Sequence, residues 1–333
     1  MSYRIVLTGA AGGMGYESLK QIVESKIDAE ILAVDLPLKK NKQRLEEFTA
    51  YKNVKMIYGD LTEYDVVREI VRDCDLIIHI ATFVSPAADY FPKKAMKVNY
   101  GSTRNFIMAI FEHGQQDRTK FVSIGTVAET GDRMPPIHWG RVGDPIKPSM
   151  FDYYAVSKVA AERLVIESGL KYWVSLRQTG IMGKAMAKVR DAIQFHSCLD
   201  NVLEYVSDRD SGRLIRNLCF YEIDHSLDAK FWNHIYNIGG GEKCRVSTYE
   251  MYKIMYKEMG FHSLKHVLEP KYTATRNFHG QYYLDSDKLE NYLHFQQDSM
   301  SYFYKAYLKE LGAVKPIMKL ICKLPGGQRL MGF

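Results

Sequence analysis

The stretch Thr8-Gly9-Ala10-Ala11-Gly12-Gly13-Met14-Gly15 decides the fold of this chain. It directly follows a short apolar run, Arg4–Thr8, and opens a stretch in which apolar residues recur with helical spacing, Met14–Glu24. A glycine-rich turn between a strand and a helix lets the backbone approach a pyrophosphate, and the free N–H groups at the helix start can then bind the phosphates. Such a turn by itself is weak evidence, but its position between strand and helix favours a dinucleotide site.

The first half of the chain continues this alternation of apolar runs and helical patterns, which is typical of a parallel sheet covered by helices. The predicted strands are Arg4–Thr8, Glu30–Asp35, Val54–Tyr58, Leu76–Ile80, Lys120–Ile124 and Tyr172–Arg177. The predicted helices are Met14–Glu24, Lys39–Ala50, Glu63–Arg72, Lys94–Glu112 and Tyr153–Glu167. This order predicts an α/β fold, namely a Rossmann-type doubly wound parallel sheet.

The pattern changes after Gly183, where strand-like runs become sparse. We therefore expect residues 1–183 to form the dinucleotide-binding Rossmann domain and residues 184–333 to form a smaller C-terminal substrate-binding domain. A strand-like run at residues 234–239 is a candidate to rejoin the first domain. Residues 127–152 contain proline and glycine and are predicted to form a long loop.

Composition and charge exclude several classes of function. The 333 residues are 46% hydrophobic and 25% charged, which describes an ordinary globular protein. The net charge of +6 is mild and its basic residues are dispersed, which argues against a nucleic-acid partner. The five cysteines show no metal-ligand spacing, so we expect free thiols and no metal. Neither a membrane-spanning run nor a signal-peptide pattern is found, which predicts a cytoplasmic protein.

Asp35 is the residue that predicts which dinucleotide binds. It ends the second predicted strand, where a carboxylate can accept hydrogen bonds from both adenine-ribose hydroxyls and would repel a 2′-phosphate. The alternative role for Asp35 is an N-cap of the following helix. The basic cluster Lys39–Arg44 leaves NADP open, but the acidic residue at the strand tip favours NAD.

Several motifs together resemble the extended short-chain dehydrogenase/reductases, the NAD-dependent epimerase/dehydratase family. The matching residues are Gly9, Gly12 and Gly15 in the turn, Asp60 and Leu61 after the third strand, Ile80-Ala81-Thr82 after the fourth, and Asn99 in the next helix. The likeness covers most of residues 1–183 and recurs at Tyr236–Glu242.

The resemblance implies an NAD site and a homodimer. It assigns Asp60 and Leu61 to adenine, and it places Ala81 and Thr82 near the dinucleotide. The other implied cofactor-binding residues are Gly13, Met14 and Asn99. In the family, the helices that correspond to Lys94–Glu112 and Tyr153–Glu167 pair with their copies in the dimer.

The family's catalytic pattern is Y-x-x-x-K, which this chain contains five times, at Tyr16/Lys20, Tyr51/Lys55, Tyr90/Lys94, Tyr154/Lys158 and Tyr249/Lys253. Only Tyr154/Lys158 begins the helix between the fifth and sixth strands, after a strand that leads to Thr126. One helical turn places both side chains on one face, so Lys158 can lower the pKa of the phenol and hold the nicotinamide ribose. We predict that Tyr154 is the general acid or base and that Thr126 hydrogen-bonds the same substrate oxygen.

Two departures from the family pattern narrow the reaction. Val127-Ala128 replaces the Asp-Glu pair that dehydratases of this family carry, which disfavours dehydration. Gly180 replaces the asparagine that epimerases use near the phosphates of their substrate, which disfavours a nucleotide-sugar. The candidate substrate residues are Gln178, Thr179, Gly180, His138 and Trp139. For His138 and Trp139 the alternatives are a lid over the pocket and a packed surface loop.

The leading hypothesis is an NAD-dependent oxidoreductase that acts on a small or hydrophobic carbonyl/alcohol pair. The alternatives are a sugar-nucleotide epimerase with tightly bound NAD and a non-catalytic dinucleotide-binding sensor. The presence of Thr126, Tyr154 and Lys158 favours an enzyme, because a sensor needs no proton-transfer groups. The lysine-punctuated apolar tail Pro316–Pro325 is expected to pack on its own subunit, with weak contact to a membrane surface or a partner as the alternative.

Overall fold

A parallel β-sheet covered by helices on both faces dominates the structure, a computed structural model that describes residues 3–183, 196–266, 270–274, 279–312 and 314–327. The strands are β1 Tyr3–Thr8, β2 Ala29–Asp35, β3 Val54–Tyr58, β4 Leu76–His79, β5 Lys120–Thr126, β6 Trp139–Gly140, β7 Tyr172–Gln178, β8 Ile181–Met182, β9 Val202–Glu204, β10 Val206–Ser207, β11 His234–Ile238, β12 Arg245–Ser247 and β13 Tyr282–Tyr283. The α-helices are α1 Gly13–Glu24, α2 Lys39–Leu45, α3 Tyr64–Val71, α4 Ala87–Tyr90, α5 Pro92–Ala95, α6 Gly101–Glu112, α7 Tyr153–Ile166, α8 Asp208–Ile223, α9 Thr248–Glu258, α10 Ser286–Leu293, α11 Met300–Leu311 and α12 Val314–Lys323.

Seven parallel strands form the main sheet, in the order β11-β7-β5-β4-β1-β2-β3. The chain runs outward from β1 to β3, crosses back to β4, and then continues in the other direction. The carboxyl ends of β1 and β4 therefore border the point where the strand order reverses, which is where doubly wound folds bind their ligands. The predicted fold class is confirmed.

Alternating side chains of the strands fill two apolar layers. On one face, Ile5 and Leu7 of β1 belong to a cluster with buried residues of α1 and α8. On the other face, Val6 belongs to a cluster with buried residues of α3, α6 and α7. This alternation follows from the two-residue period of a strand that is buried on both faces. The core thus fixes the carboxyl ends of β1, β4 and β5 on a rigid layer.

The structure differs from the sequence-based elements in a few places. The helix predicted for Lys94–Glu112 begins at Pro92 and contains a π turn at Met96–Tyr100 between α5 and α6. Residues after 183 supply β11 to the sheet edge and α8 to the layer beside α1. The role of residues 184–333 in binding substrate stays a prediction.

The rest of the C-terminal part is mainly helical and has its own small apolar clusters. One cluster joins Met251 of α9 to Met300 and Phe303 of α11, and another joins Met259 and Phe261 to Cys322 of α12. All five cysteines are buried free thiols. Within the described ranges we find neither a helix long and apolar enough to cross a bilayer nor a group of side chains that could hold a metal ion.

Candidate active site

The glycine turn after β1 leaves no room for side chains at two of its positions. A Cβ on Gly15 would lie 2.1 Å from the carbonyl oxygen of Gly9, and a Cβ on Gly9, whose φ is +67°, would lie 2.9 Å from the backbone of Ala81. The Gly12 N–H donates to the same Gly9 oxygen at 2.8 Å. Gly13 differs, because a Cβ there would meet no atom within 4 Å. The turn is therefore closely packed at Gly9 and Gly15 and open at Gly13, the first residue of α1.

Asp35, at the end of β2, is tied to the glycine turn. One carboxylate oxygen accepts the Ala11 N–H at 2.7 Å, and the other accepts the Leu36 N–H at 2.8 Å and the Asn41 side-chain amide at 2.7 Å. The N-cap residue of α2 is Leu38, so the alternative role of Asp35 as that cap is wrong. Asp35 therefore shapes the turn, a role that the sequence did not reveal.

The residues after β3 lie beside this strand end. The Gly59 N–H donates to the carbonyl oxygen of Asp35 at 2.9 Å, and the Asp60 carboxylate accepts the Thr62 N–H at 2.9 Å. Leu61 is buried in the apolar layer under α3 and α6. The structure thus brings Asp60 and Leu61 next to Asp35, whereas Met14 is buried in the core under α1.

The turn after β4 is held from below by Thr8 and His79. The Thr8 hydroxyl accepts the N–H groups of Ile80 and Ala81 at 3.1 and 3.0 Å, and it lies 3.0 Å from Nδ1 of His79. Nε2 of His79 lies 3.1 Å from the Ser102 hydroxyl. Burial, together with the positive charge of Lys158, lowers the pKa of His79 to about 3, so this imidazole is neutral at physiological pH. Sequence reasoning missed both Thr8 and His79.

Asn99 connects this turn to the helix that carries Tyr154. Its side-chain oxygen accepts the Thr82 hydroxyl at 2.9 Å and the Phe83 N–H at 2.7 Å. Its amide nitrogen donates to the Phe83 carbonyl at 3.1 Å and to the Ser157 hydroxyl of α7 at 2.8 Å. Asn99 is buried, and its side-chain hydrogen bonds go to the turn and to the helix, so it positions both.

Thr126, Tyr154 and Lys158 meet at the carboxyl end of β5. Tyr154 sits in the first turn of α7, where the Asp152 carboxylate accepts the Ala155 N–H at 2.8 Å as the N-cap. The Tyr154 phenol lies beside the hydroxyls of Thr126 and Thr82. Burial raises the pKa of this phenol, and the two hydroxyls only partly oppose the effect. The expected lowering of this pKa by Lys158 stays a prediction.

A buried ionic cluster surrounds Lys158. Arg177 pairs with Glu162 at 2.5 Å and lies 3.4 Å from Glu129, while the Ser175 hydroxyl donates to Glu162 at 2.7 Å. Burial lowers the pKa of the Lys158 ammonium, whereas the two carboxylates favour its charged form. With Lys158 the cluster has two basic and two acidic groups. This composition suits a buried site, because an unpaired charge there is costly.

Glu129 also fixes Thr126 directly. Its carboxylate accepts the Thr126 N–H at 2.8 Å, and the Thr126 hydroxyl accepts the Ala128 N–H at 3.3 Å, so the two residues cap a short 3-10 turn. Burial and the nearby Glu162 raise the pKa of Glu129 to about 8. Lys158 and Glu162 carry opposite charges and lie one helical turn apart. This spacing was the sequence signal that could have revealed the cluster.

The candidate substrate residues after β7 are packed rather than open. A Cβ on Gly180 would lie 2.8 Å from the ring of Tyr205, so this ring occupies the space of a side chain. Thr179 is buried, and the Gln178 amide donates to the Thr179 carbonyl at 3.0 Å. Tyr205 joins an apolar cluster with Val127, Leu203 and Tyr283, and Val127 directly follows Thr126.

His138 and Trp139 lie against the C-terminal part of the chain. β6, which contains Trp139, pairs with β13, and the Trp139 ring packs edge-on against Tyr282 at a centroid distance of 5.5 Å. The Arg245 guanidinium lies 4.8 Å from the same ring. His138 has a positive φ of 54° and precedes this strand. A lid role for these residues stays a prediction.

This strand order, the glycine turn and the Thr126, Tyr154 and Lys158 grouping define an extended short-chain dehydrogenase/reductase. The model of the 3-beta hydroxysteroid dehydrogenase/isomerase family matches residues 6–209, which is more than half of the chain. The chain therefore belongs to the 3-beta hydroxysteroid dehydrogenase/isomerase family.

Its curated relatives include the Vaccinia virus (strain Copenhagen) 3 beta-hydroxysteroid dehydrogenase/Delta 5-->4-isomerase, 29% identical over 186 residues, which are 54% of this chain and 52% of that protein. The mouse (Mus musculus) 3 beta-hydroxysteroid dehydrogenase type 7 is 30% identical over 196 residues, 56% of this chain and 52% of that protein. A D-erythronate dehydrogenase of Cupriavidus necator is 25% identical over 182 residues, 52% of each. The chain spans about half the length of the curated relatives it matches.

Solved structures share the fold at low sequence identity. The UDP-Glc/GlcNAc 4-epimerase from Campylobacter jejuni gives a TM-score of 0.72 at 19% identity, covering 92% of this chain and 98% of that one. The dTDP-glucose 4,6-dehydratase DesIV from Streptomyces venezuelae, with NAD and TYD bound, gives 0.72 at 18% identity and covers 92% and 96%. At this identity the likeness establishes the fold alone.

Proposed function

We propose that this protein is an NAD-dependent oxidoreductase that interconverts a hydrophobic secondary alcohol and its ketone. The observation that carries the proposal is the Tyr154 phenol, which lies beside the hydroxyls of Thr126 and Thr82 near the dinucleotide turn, with Lys158 one helical turn further along α7. NAD, when bound, supplies the hydride acceptor, and the residues of this chain bind it, orient the substrate and move the proton.

The residues after β1 and β2 fit NAD. The turn is open at Gly13, and the N–H groups in the first turn of α1 have no helical acceptors, which suits a diphosphate. Asp35 offers a carboxylate at the strand tip, where a 2′-phosphate would be repelled. Arg44 lies over the Tyr16 ring, whereas Lys42 lies over the ring of Tyr58, the neighbour of Asp35 on the adjacent strand. The carboxylate of Asp35 is therefore the feature that supports NAD over NADP.

The proton chemistry follows from the environment of Tyr154. Because its pKa is raised, the phenol keeps its proton at neutral pH and can donate it to a ketone oxygen during reduction. In the oxidation direction the phenolate must form first, and the Thr126 hydroxyl can donate a hydrogen bond to that anion, whereas the Thr82 hydroxyl donates to Asn99. Glu129 holds the backbone of Thr126, so the hydroxyl that contacts Tyr154 has a fixed position.

Two observations support a hydrophobic substrate rather than a sugar nucleotide. Val127 directly follows Thr126 and belongs to an apolar cluster with Leu203, Tyr205 and Tyr283. The Tyr205 ring fills the space beside Gly180, the position that carries the phosphate-side asparagine in epimerases. Several curated relatives are named as hydroxysteroid dehydrogenases, which favours a sterol-like alcohol as the first substrate class to test.

We also propose that the protein is a homodimer. Both α6 and α7 present exposed apolar side chains, Met108 and Phe111 on the first and Val156 and Ile166 on the second. An apolar face shared by two neighbouring helices fits a four-helix interface between two copies. Sedimentation should give twice the chain mass at micromolar concentration, and a Phe111→Glu variant should sediment as a monomer. Monomeric wild type would contradict this assembly.

The decisive experiment compares Tyr154→Phe with Lys158→Met. NADH formation is followed by absorbance against a panel of 3β-hydroxysteroids and small secondary alcohols, and NAD affinity is measured separately by calorimetry. Tyr154→Phe should lower turnover by roughly two to four decades and leave NAD affinity nearly unchanged. Lys158→Met should weaken both, because one ammonium is expected to serve the ribose and the phenol.

The control is Tyr249→Phe, which alters another Y-x-x-x-K string on the exposed side of α9. It should retain wild-type turnover. Full activity of Tyr154→Phe together with an inactive Tyr249→Phe would show that the catalytic tyrosine was chosen wrongly. If no alcohol on the panel is oxidised although NAD binds, the substrate class must be revised.

A further inference from the structure

Helix α12 has one packed face and one exposed apolar face. Met318 and Cys322 pack against Met259 and Phe261, and Gly260 lies so close that a Cβ there would be 3.0 Å from the Cα of Lys319. On another side of the helix lie large apolar side chains that none of the residues described in the structure covers. These are Ile317, Leu320 and Leu324, which are 56%, 66% and 57% exposed.

The helical spacing separates these two faces clearly. Positions 317, 320 and 324 follow each other at intervals of three and four residues, so they form one stripe. Positions 318 and 322 form a second stripe, which faces the protein. The first stripe therefore points away from the body of the protein, where an outside surface could reach all three side chains at once.

The surroundings of this stripe are strongly basic. Residues 300–324, which span α11 and α12, contain five lysines and one glutamate, a formal charge of +4, whereas the whole chain carries +6. Lys315 is paired with Glu258 at 3.1 Å. Lys323 is exposed, and Lys319 lies at the border of the packed face. α12 itself contains no acidic residue.

We propose that α12 docks the protein peripherally on an anionic lipid surface. Ile317, Leu320 and Leu324 would enter the boundary between headgroups and acyl chains, and the lysine side chains would extend to the lipid phosphates. At ten residues the helix is too short to span a bilayer, so it lies in the plane of the interface. This docking is independent of the reaction at Tyr154.

Charge complementarity selects lipid over a second copy of the chain. A symmetric pairing of two α12 helices would bring the lysines of both copies together, and like charges in contact are unfavourable. An anionic membrane instead attracts each lysine near its surface by about 1 kcal/mol, which corresponds to about fivefold in affinity per lysine.

The test is co-sedimentation of the full chain with phosphatidylcholine vesicles that do or do not contain phosphatidylserine. The wild type should bind the serine-containing vesicles, bind poorly to pure phosphatidylcholine, and lose affinity at high salt. Lys319→Gln combined with Lys323→Gln should weaken binding about 25-fold. Ile317→Glu combined with Leu320→Glu should abolish it.

The matched control is Phe220→Glu, which alters an exposed aromatic residue on α8 and should leave vesicle binding unchanged. Circular dichroism and NAD affinity should be wild type in all variants, because none of the altered side chains is fully buried and none is among the residues assigned to the cofactor. Absence of vesicle binding, or binding that survives the Ile317/Leu320 change, would overturn the proposal. So would a larger oligomer of the wild type that the same change dissociates, since α12 would then pair with a second copy.

Discussion

Replacing Gly15 by alanine tests how the dinucleotide turn is built. The added Cβ would lie 2.1 Å from the Gly9 carbonyl oxygen, whereas real Cβ atoms essentially never come closer than 3.0 Å. The carbonyl must therefore move by about 0.9 Å, which disturbs the bond from the Gly12 N–H to the same oxygen. Overpacking costs about 1–3 kcal/mol and the hydrogen bond about 1 kcal/mol. We expect a total loss of about 2–4 kcal/mol in the free energy of unfolding.

Thermal unfolding and NAD titration measure this effect. A loss of that size should lower Tm by roughly 3–6 °C in a chain of this length, and the displaced turn should weaken NAD binding by at least about tenfold. Gly13→Ala is the matched control, because its Cβ meets nothing within 4 Å and alanine favours the start of α1. That variant should keep the wild-type Tm or raise it slightly, because its free energy of unfolding is expected to increase by at most about 1 kcal/mol. Any loss of NAD affinity in it would report contact with the cofactor itself.

The result that would refute the reasoning is a Gly15→Ala protein with wild-type Tm and wild-type NAD affinity. It would mean that the Gly9 carbonyl can move without a loss of stability or of NAD affinity. The close approach of Gly9 and Gly15 would then have no role in holding the site. An equal loss of stability in Gly13→Ala would be equally damaging. In that case the two glycines would not differ as the geometry requires.

Two further predictions concern buried carboxyls. Burial raises the pKa of Asp152 to about 7, so the folded protein keeps a proton that the unfolded chain releases above about pH 4. Stability contributed by this group falls as the pH rises through that window, and Asp152→Asn should give a flatter curve of Tm against pH between about 4 and 7. The pKa of Glu129, raised to about 8, makes Glu129→Gln a mimic of its protonated form, which can still accept the Thr126 N–H. Its Tm should match wild type near pH 4, where an unfolded glutamate is also protonated, and exceed it increasingly up to about pH 8. A variant that is less stable at pH 9 would show that the ionised carboxylate is favourable.

The main sheet and the catalytic helix could be predicted from the sequence because their signals are local. The predicted strands end within about two residues of the observed ones, since each apolar run is buried on both faces of the sheet. Helix α8 escaped prediction because charged residues interrupt its apolar ones, and only packing against α1 shows which face is buried.

The supporting network of the site is non-local and could not be predicted. Thr8 and His79 are 71 positions apart and meet only through the pairing of β1 with β4. Glu129 and Glu162 look like surface charges until the fold surrounds them with Arg177 and Lys158. For the same reason the sequence did not reveal that burial raises the pKa of Tyr154, because burial depends on the complete fold.

The bonds from Asp35 to the glycine turn limit how the cofactor preference of this protein could be redesigned. A conventional change from NAD to NADP removes the strand-end carboxylate and adds a basic residue. Here that change would also leave the Ala11 N–H without its acceptor and release the Asn41 side chain. The cofactor preference predicted for Asp35 and the shape of the loop therefore depend on the same carboxylate, and a successful switch would need a second substitution that supplies a neutral acceptor to Ala11.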